Sequence, residues 1–167
     1  MEIKKTAEIA MLLALSVVLN IMESFIPITS LNIPGVKIGL ANTVIVFAIY
    51  KYTFKDVLFI SIARVFLTGL LRTGIFSISF FFSLGGGVLS VILMMLVKKY
   101  TNLSLIGVSV VGALTHSVGQ VLVGILFLRI SELIYYLPWL LLLSIPTGIV
   151  VGKVVKTVLN YYNVKYV

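Results

Sequence analysis

Six long apolar runs, separated by short polar or charged segments, set the pattern of the chain. Within each run the apolar residues are continuous and do not alternate strictly with polar ones, which indicates helices rather than β-strands. A helix needs about 20 such residues to cross the hydrocarbon of a bilayer. The pattern therefore predicts an all-α integral membrane protein with about six transmembrane helices, at residues 7–26, 38–51, 56–71, 76–97, 104–128 and 133–155.

Lysine and arginine fall mainly in alternate connections between these runs. If the N-terminus is cytoplasmic, nine lysines lie inside (Lys4, Lys5, Lys51, Lys55, Lys98, Lys99, Lys153, Lys156 and Lys165) and three cations lie outside (Lys37, Arg72 and Arg129). This bias follows the positive-inside rule and predicts a multi-pass protein of the cell membrane with both termini in the cytoplasm. The first run is interpreted as a retained helix rather than a cleaved signal peptide, because five further runs follow it. No low-complexity linker or repeat divides the chain, so residues 1–167 are expected to form a single domain.

The amino-acid composition also indicates a protein that is embedded in lipid. Of its residues, 60% are hydrophobic and 11% are charged, whereas about a quarter of a typical soluble domain is charged. The net charge of +8 lies at the ends of the apolar runs and not in one patch, which argues against nucleic-acid binding. With one histidine and no cysteine, a structural zinc site is not expected.

The groups that catalysis would need are sparse. Asp56 is the sole aspartate, whereas soluble prenyl-chain synthases hold magnesium through aspartate-rich motifs. The chain has no glycine-rich phosphate-binding loop with its lysine, so it is not expected to hydrolyse ATP itself. A Ser-His-Asp triad would need Asp56 and His116, which are predicted at different depths. We therefore predict a protein that is not an enzyme and that uses no metal and no cofactor.

Polar and ionisable residues inside the apolar runs form the candidate site. Each costs free energy in lipid, so each needs a structural or functional reason. Under the predicted orientation they concentrate in the middle and outer part of the membrane, where the positive-inside rule predicts few cations. The candidate ligand-binding residues are Asn20, Glu23, Lys37, Asn42, Arg64, Arg72, His116 and Gln120. Because arginine binds carboxylate or phosphate through its planar fork, the set predicts an outward-facing pocket for a small-molecule ligand with an anionic part.

The same residues have structural interpretations that the sequence leaves open. Glu23 would pair with Arg64 or Arg72 in an ion pair between helices. His116 and Gln120 are four residues apart and therefore lie on one helix face, where they would also serve as hydrogen-bond partners between helices. Arg64 is the hardest to explain in this way, because arginine does not readily lose its proton.

Small and helix-breaking residues mark three further regions. The segment 27–37 holds two prolines and a glycine, which favour turns, so it is either a simple connector or a lid over the pocket. Ala10 and Ala14 form a small-residue stripe on the first helix, suited to close contact with another helix. The triplet Gly85-Gly86-Gly87 predicts tight packing of the fourth helix.

Short motifs spread over residues 7–150 carry a resemblance to a known family. They are Pro34-Gly35-Val36-Lys37-Ile38-Gly39-Leu40-Ala41-Asn42, Arg64-Val65, Gly69-Leu70-Leu71, Ser79-Phe80 with Ser83, and His116 with Gly119-Gln120. Together they resemble the small membrane proteins called Gx transporters, which are also described as heptaprenyl diphosphate synthase component I.

The resemblance implies two different functions. One is similar to the substrate-binding S components of energy-coupling factor importers, six-helix proteins that work with a coupling transmembrane protein and two ATPases. It implies that Ala10 and Ala14 form the docking stripe for that coupling protein and that the segment 27–37 closes over the ligand. The other function is that of a non-catalytic accessory subunit of a polyprenyl diphosphate synthase. The polar residues in the outer half favour the S-component-like bundle, because a cytoplasmic synthase would not use them.

Overall fold

The computed structural model describes residues 2–25 and 39–162, and these residues form helices and connections without a β-strand. Its six α-helices are α1 (Glu2–Glu23), α2 (Leu40–Lys51), α3 (Phe54–Thr68), α4 (Ile78–Tyr100), α5 (Leu105–Leu128) and α6 (Leu137–Tyr161). A π-helical turn, Gly69–Thr73, continues α3, and a 3-10 segment, Ser131–Tyr136, precedes α6. The predicted all-α class is confirmed. Lys37, Lys165 and the segment 27–37 lie outside the described residues.

Four of these helical segments are long and apolar enough to cross a membrane. They are Ile3–Glu23, Ile78–Tyr100, Leu105–Leu128 and the continuous segment Ser131–Tyr161. The chain is therefore a membrane-embedded protein. The helix α2 is apolar but has 12 residues, and α3 has 15, so a full crossing by these two helices stays a prediction.

Local signals explain where the helices begin. Thr53 and Asp56 form a capping box at the start of α3, in which each side chain bonds the other residue's free backbone N–H. The last helix begins at Leu137, four residues later than the apolar pattern predicts, because the preceding Ser131–Tyr136 adopts 3-10 geometry. Pro138 fits the first turn of α6, where the proline ring and its missing N–H cost nothing.

The helices α4 and α5 approach each other closely at glycines. A Cβ atom added to Gly119 would lie 2.8 Å from both the carbonyl oxygen of Gly85 and the Cα atom of Gly86. Such a distance is too short for real carbon contacts, so the two backbones touch where side chains would normally separate them. This is the tight packing that the glycine triplet predicts.

A cluster of buried apolar side chains fills one half of the bundle, which we call the core end. Its buried members include Ile45, Val46, Ile49, Val57, Ile60, Val91, Met94, Val108, Val155 and Leu159. The beginning of α1 and the end of α6 lie at this end. Here α1 is tied to its neighbours by ion pairs of Lys5 with Asp56 (2.7 Å) and of Lys51 with Glu8 (2.9 Å). The opposite half, the cavity end, contains the polar residues described next.

Candidate ligand-binding site

A cavity of about 200 Å³ opens inside the cavity end of the bundle. Residues from all six α-helices and from the π-helical turn line it. The lining includes seven of the eight residues predicted from sequence, namely Asn20, Glu23, Asn42, Arg64, Arg72, His116 and Gln120. The eighth, Lys37, lies outside the described residues. The structure thus brings the predicted residues together around one space, while their role in binding stays a prediction.

Arg64 is the central charged group of the cavity. It is 3% exposed although it carries a guanidinium group. Its Nη1 atom donates one long hydrogen bond, 3.3 Å, to the Asn42 side-chain oxygen, while its Nε atom is buried without a hydrogen-bond partner. Since an arginine has five N–H donors, a buried guanidinium with so few partners has donors left to bind an anion.

Glu23 is held by the start of α2 and not by an arginine. Its Oε1 atom accepts a 2.6 Å hydrogen bond from the backbone N–H of Gly39, the residue that caps α2. Among the described residues it forms no ion pair within 4.0 Å. Within the described ranges, Glu23 therefore makes no direct contact with Arg64 or Arg72, because the carboxylate is drawn to the amide end of α2. Its charge still attracts Arg64 at longer range.

The backbone of Gly39 has a conformation that suits glycine. Its φ angle is +85°, in the left-handed region that costs other residues about 1–2 kcal/mol. A Cβ at this position would meet only ordinary contacts, the nearest to Val151 at 3.6 Å. Glycine therefore sets the turn that aims the Gly39 N–H at Glu23.

We expect Gly39→Ala to lower the free energy of unfolding by about 1–2 kcal/mol, because alanine resists the left-handed conformation. Gly39→Asn is the matched control, since asparagine adopts the left-handed conformation more readily than alanine does. Thermal unfolding in detergent, followed by circular dichroism, measures both. A smaller loss for asparagine than for alanine indicates backbone strain, whereas equal losses indicate that an added side chain disturbs the hydrogen bond to Glu23. No loss in the alanine variant would contradict the expectation.

Arg72 reaches the cavity from the π-helical turn. This turn, Gly69–Thr73, follows α3 directly and contains Arg72 in its last part. Arg72 lines the cavity but is exposed, in contrast to the buried Arg64 eight residues earlier. A π-helical turn displaces the residues after it relative to a regular helix and is frequent at functional sites. The cavity is therefore lined by one buried and one exposed arginine.

The helix α5 supplies His116 and Gln120, which lie on the cavity face as their spacing predicts. A Cβ added to Gly86 of α4 would be 2.8 Å from the His116 carbonyl oxygen and 3.1 Å from the Gln120 Cγ atom. The absence of a side chain at Gly86 thus leaves room for α5 to bring both polar side chains into the cavity. The positions of His116 and Gln120 also allow hydrogen bonds between helices. Ligand binding and a structural role therefore both remain compatible with the structure.

Small hydroxyl residues form a part of the lining that the candidate site predicted from sequence did not include. They include Thr68, Thr73, Ser79, Ser83, Ser90, Ser109, Ser117, Ser144 and Thr147. Several bond to backbone carbonyls or to each other, as in the 2.7 Å contact between Ser117 and Ser144 and the bond from Ser109 to the Gly148 carbonyl (2.8 Å). The signal was present on α5, where Ser109, His116 and Gln120 share one face at helical spacing.

The described residues show neither a metal cluster nor a catalytic triad. They contain no group of three or more His, Asp or Glu side chains placed to hold a metal. Asp56 pairs with Lys5 at the core end, whereas His116 lines the cavity. The two residues needed for a triad are therefore in different halves of the bundle.

The predicted docking stripe on α1 lies on its outer face. Ala10 and Ala14 are both exposed, and Met11 beside them is 71% exposed. The opposite face of α1 carries the buried Ser16 and the cavity residue Glu23, whereas the buried Val17 follows Ala14 on the alanine face. A partner helix could therefore reach the two alanines without displacing any described helix.

The fold and the cavity define a polytopic α-helical membrane protein that encloses a polar space around a buried arginine. A family model described as heptaprenyl diphosphate synthase component I matches residues 12–158. The chain belongs to this family, which confirms the family resemblance predicted from its motifs. No curated protein and no solved structure shows a significant match to the chain. The similarity to S components of energy-coupling factor importers therefore stays a prediction.

Proposed function

We propose that the chain is the substrate-binding membrane subunit of a small-molecule importer and that its cavity takes a ligand with an anionic part. The observation that carries this proposal is the buried Arg64, which faces the cavity and has an unpartnered Nε atom. A buried cation without a directly bonded counter-ion is costly in a protein and in a membrane, and among the described residues Arg64 has only the more distant Glu23. A bound anionic ligand offsets this cost, which accounts for an arginine at a buried position beside the cavity.

The size and composition of the cavity support a small ligand. Its volume, about 200 Å³, is below the roughly 300–1,000 Å³ typical of sites for drug-sized molecules. Polar side chains from several helices converge on it while Leu140, Leu143 and Met94 supply apolar surface. Few well-placed polar groups within an apolar wall are typical of sites that recognise small molecules.

Transport against a gradient needs an energy source that this chain lacks, since its sequence has no ATP-binding loop. We therefore propose as partners a coupling transmembrane protein and two ATPases, with the exposed Ala10 and Ala14 of α1 as the contact face. The core end faces the cytoplasm of the cell in this proposal, because the positive-inside rule places its lysines there. The cavity end then faces outward.

The test is purification of the tagged chain from its native membrane with its bound partners. We expect a coupling membrane protein and two ATPases, identified by mass spectrometry, to be retained. Ala10→Trp and Ala14→Trp should each abolish this retention, since a bulky ring blocks close helix contact. Leu122→Trp is the control, because Leu122 is half exposed on α5, away from the stripe. Unchanged assembly in both alanine variants would refute the docking face.

The alternative function is that of an accessory membrane subunit of a polyprenyl diphosphate synthase. The observation in its favour is the family match over residues 12–158, whose description names this assembly. Under this alternative the chain is retained with a soluble prenyl synthase and without an ATPase. That outcome would overturn the importer proposal and would make the polar cavity a structural feature.

A further inference from the structure

Two opposite charges are buried beside the same cavity without touching each other. Glu23 is 4% exposed and Arg64 is 3% exposed, and both line the cavity. In the part of the chain that the structure describes, neither side chain forms an ion pair within 4.0 Å. Each charge is therefore buried and has no direct counter-ion among residues 2–25 and 39–162.

One turn of α2 fixes both charges through neutral groups. The backbone N–H of Gly39 donates to Glu23 (2.6 Å), and the side-chain oxygen of Asn42 accepts from Arg64 (3.3 Å). Gly39 and Asn42 belong to the same turn, because the Asn42 N–H bonds the Gly39 carbonyl at 2.9 Å. The two ionic side chains are thus tethered to one rigid element, which opposes their collapse into a direct pair.

These hydrogen bonds use only part of the hydrogen-bonding capacity of the Glu23 and Arg64 side chains. The hydrogen bond of Glu23 occupies Oε1, and that of Arg64 occupies Nη1, while the Arg64 Nε atom is buried and unbonded. In a medium of low dielectric constant, opposite charges that face one space strongly favour an occupant that contacts both. The unmatched carboxylate disfavours a purely anionic occupant, and the unmatched guanidinium disfavours a purely cationic one.

We infer that the ligand is a small zwitterion, with an anionic group that binds Arg64 and an ammonium group that binds Glu23. This inference rests on the proposed function and narrows its ligand class from an anion to an amino-acid-like molecule. Arg72 also lines the cavity but is exposed, so it contributes less to this balance than the two buried charges do. The two buried charges select the charged groups of the ligand, and the hydroxyl groups of the cavity wall select its shape.

The experiment measures binding of small charged probes to the purified full chain in lipid nanodiscs by isothermal titration calorimetry. The zwitterions glycine, β-alanine and 4-aminobutyrate sample different separations of the two charges, and acetate and methylammonium represent each charge alone. We expect at least one zwitterion to bind roughly tenfold or more tightly than either single-charge probe, which corresponds to about 1.4 kcal/mol. Glu23→Gln should remove this advantage of the zwitterion over acetate.

The outcomes separate this inference from the proposal on which it rests. If acetate binds in an Arg64-dependent manner and no zwitterion binds more tightly, the zwitterion inference is overturned and the anion site stands. If no probe binds at millimolar concentration, both are overturned. The comparison among probes on the unaltered chain decides the matter even if Glu23→Gln fails to fold. Glu23→Asp, which keeps the carboxylate, should retain the preference for a zwitterion.

Discussion

Replacing Arg64 with methionine is expected to remove the anion binding proposed for the cavity without unfolding the protein. Methionine fills a similar volume without a charge, so it removes the burial cost of the guanidinium but also its long-range attraction to the buried Glu23. Since these two effects oppose each other, the free energy of unfolding should change by less than the roughly 3–5 kcal/mol lost when a direct buried ion pair is broken. Anion binding should weaken by about two orders of magnitude, the usual result of removing one partner of a buried charge contact.

Thermal unfolding by circular dichroism and acetate titration of the same sample measure the two effects together. Arg129→Met is the matched control, because Arg129 is exposed at the end of α5 and is not among the cavity residues. It should change neither stability nor acetate binding by much. If Arg64→Met instead destabilises the protein strongly, Arg64 holds the helices together and its role is structural.

Replacing Gly119 with alanine is expected to destabilise the bundle by about 1–3 kcal/mol, the usual cost of overpacking. The added Cβ would press on backbone atoms of Gly85 and Gly86 at 2.8 Å, and a backbone cannot rotate away as a side chain can. The helices α4 and α5 would have to separate, which would also move His116 and Gln120 relative to the cavity. Both the temperature of thermal unfolding and the fraction of monodisperse protein on gel filtration should fall.

Gly107→Ala is the control for this second variant because it makes the same chemical change on the same helix. The nearest atoms to a Cβ at Gly107 are side-chain atoms of Leu103 at 3.4 Å, an ordinary contact. Alanine favours a helix over glycine by up to about 1 kcal/mol, so this variant should be neutral or more stable. We expect Gly119→Ala to lower the free energy of unfolding and Gly107→Ala not to lower it. Equal losses in the two variants would refute close packing of α4 against α5.

The helical class and the residues around the cavity could be predicted from sequence because lipid imposes a simple rule. Polar groups are costly within apolar runs, so the residues that break the pattern must meet inside the protein. Arg64, Asn42 and His116 stand out on this criterion alone, and the structure places all three at one cavity. The same rule predicts that these residues lie near one another, but it does not predict which of them form hydrogen bonds.

The parts that could not be predicted depend on geometry between helices. Glu23 bonds the Gly39 amide and not an arginine, which follows from the left-handed turn at Gly39 and not from residue type. The π-helical turn that carries Arg72 has no distinct sequence signal. Serine and threonine escaped notice because their hydroxyl groups can bond to the helix backbone, so they do not interrupt an apolar run as charges do.

The apolar cluster at the core end has a consequence for the electrical insulation of the membrane. Buried side chains such as Ile49, Val91 and Val155 have no exposed surface, and they close the bundle axis beyond the cavity. Ions and protons need water or polar groups to move, and this plug offers them neither. The chain on its own should therefore not conduct ions or protons across the bilayer, so its presence in a membrane should leave the ion gradients of the cell intact.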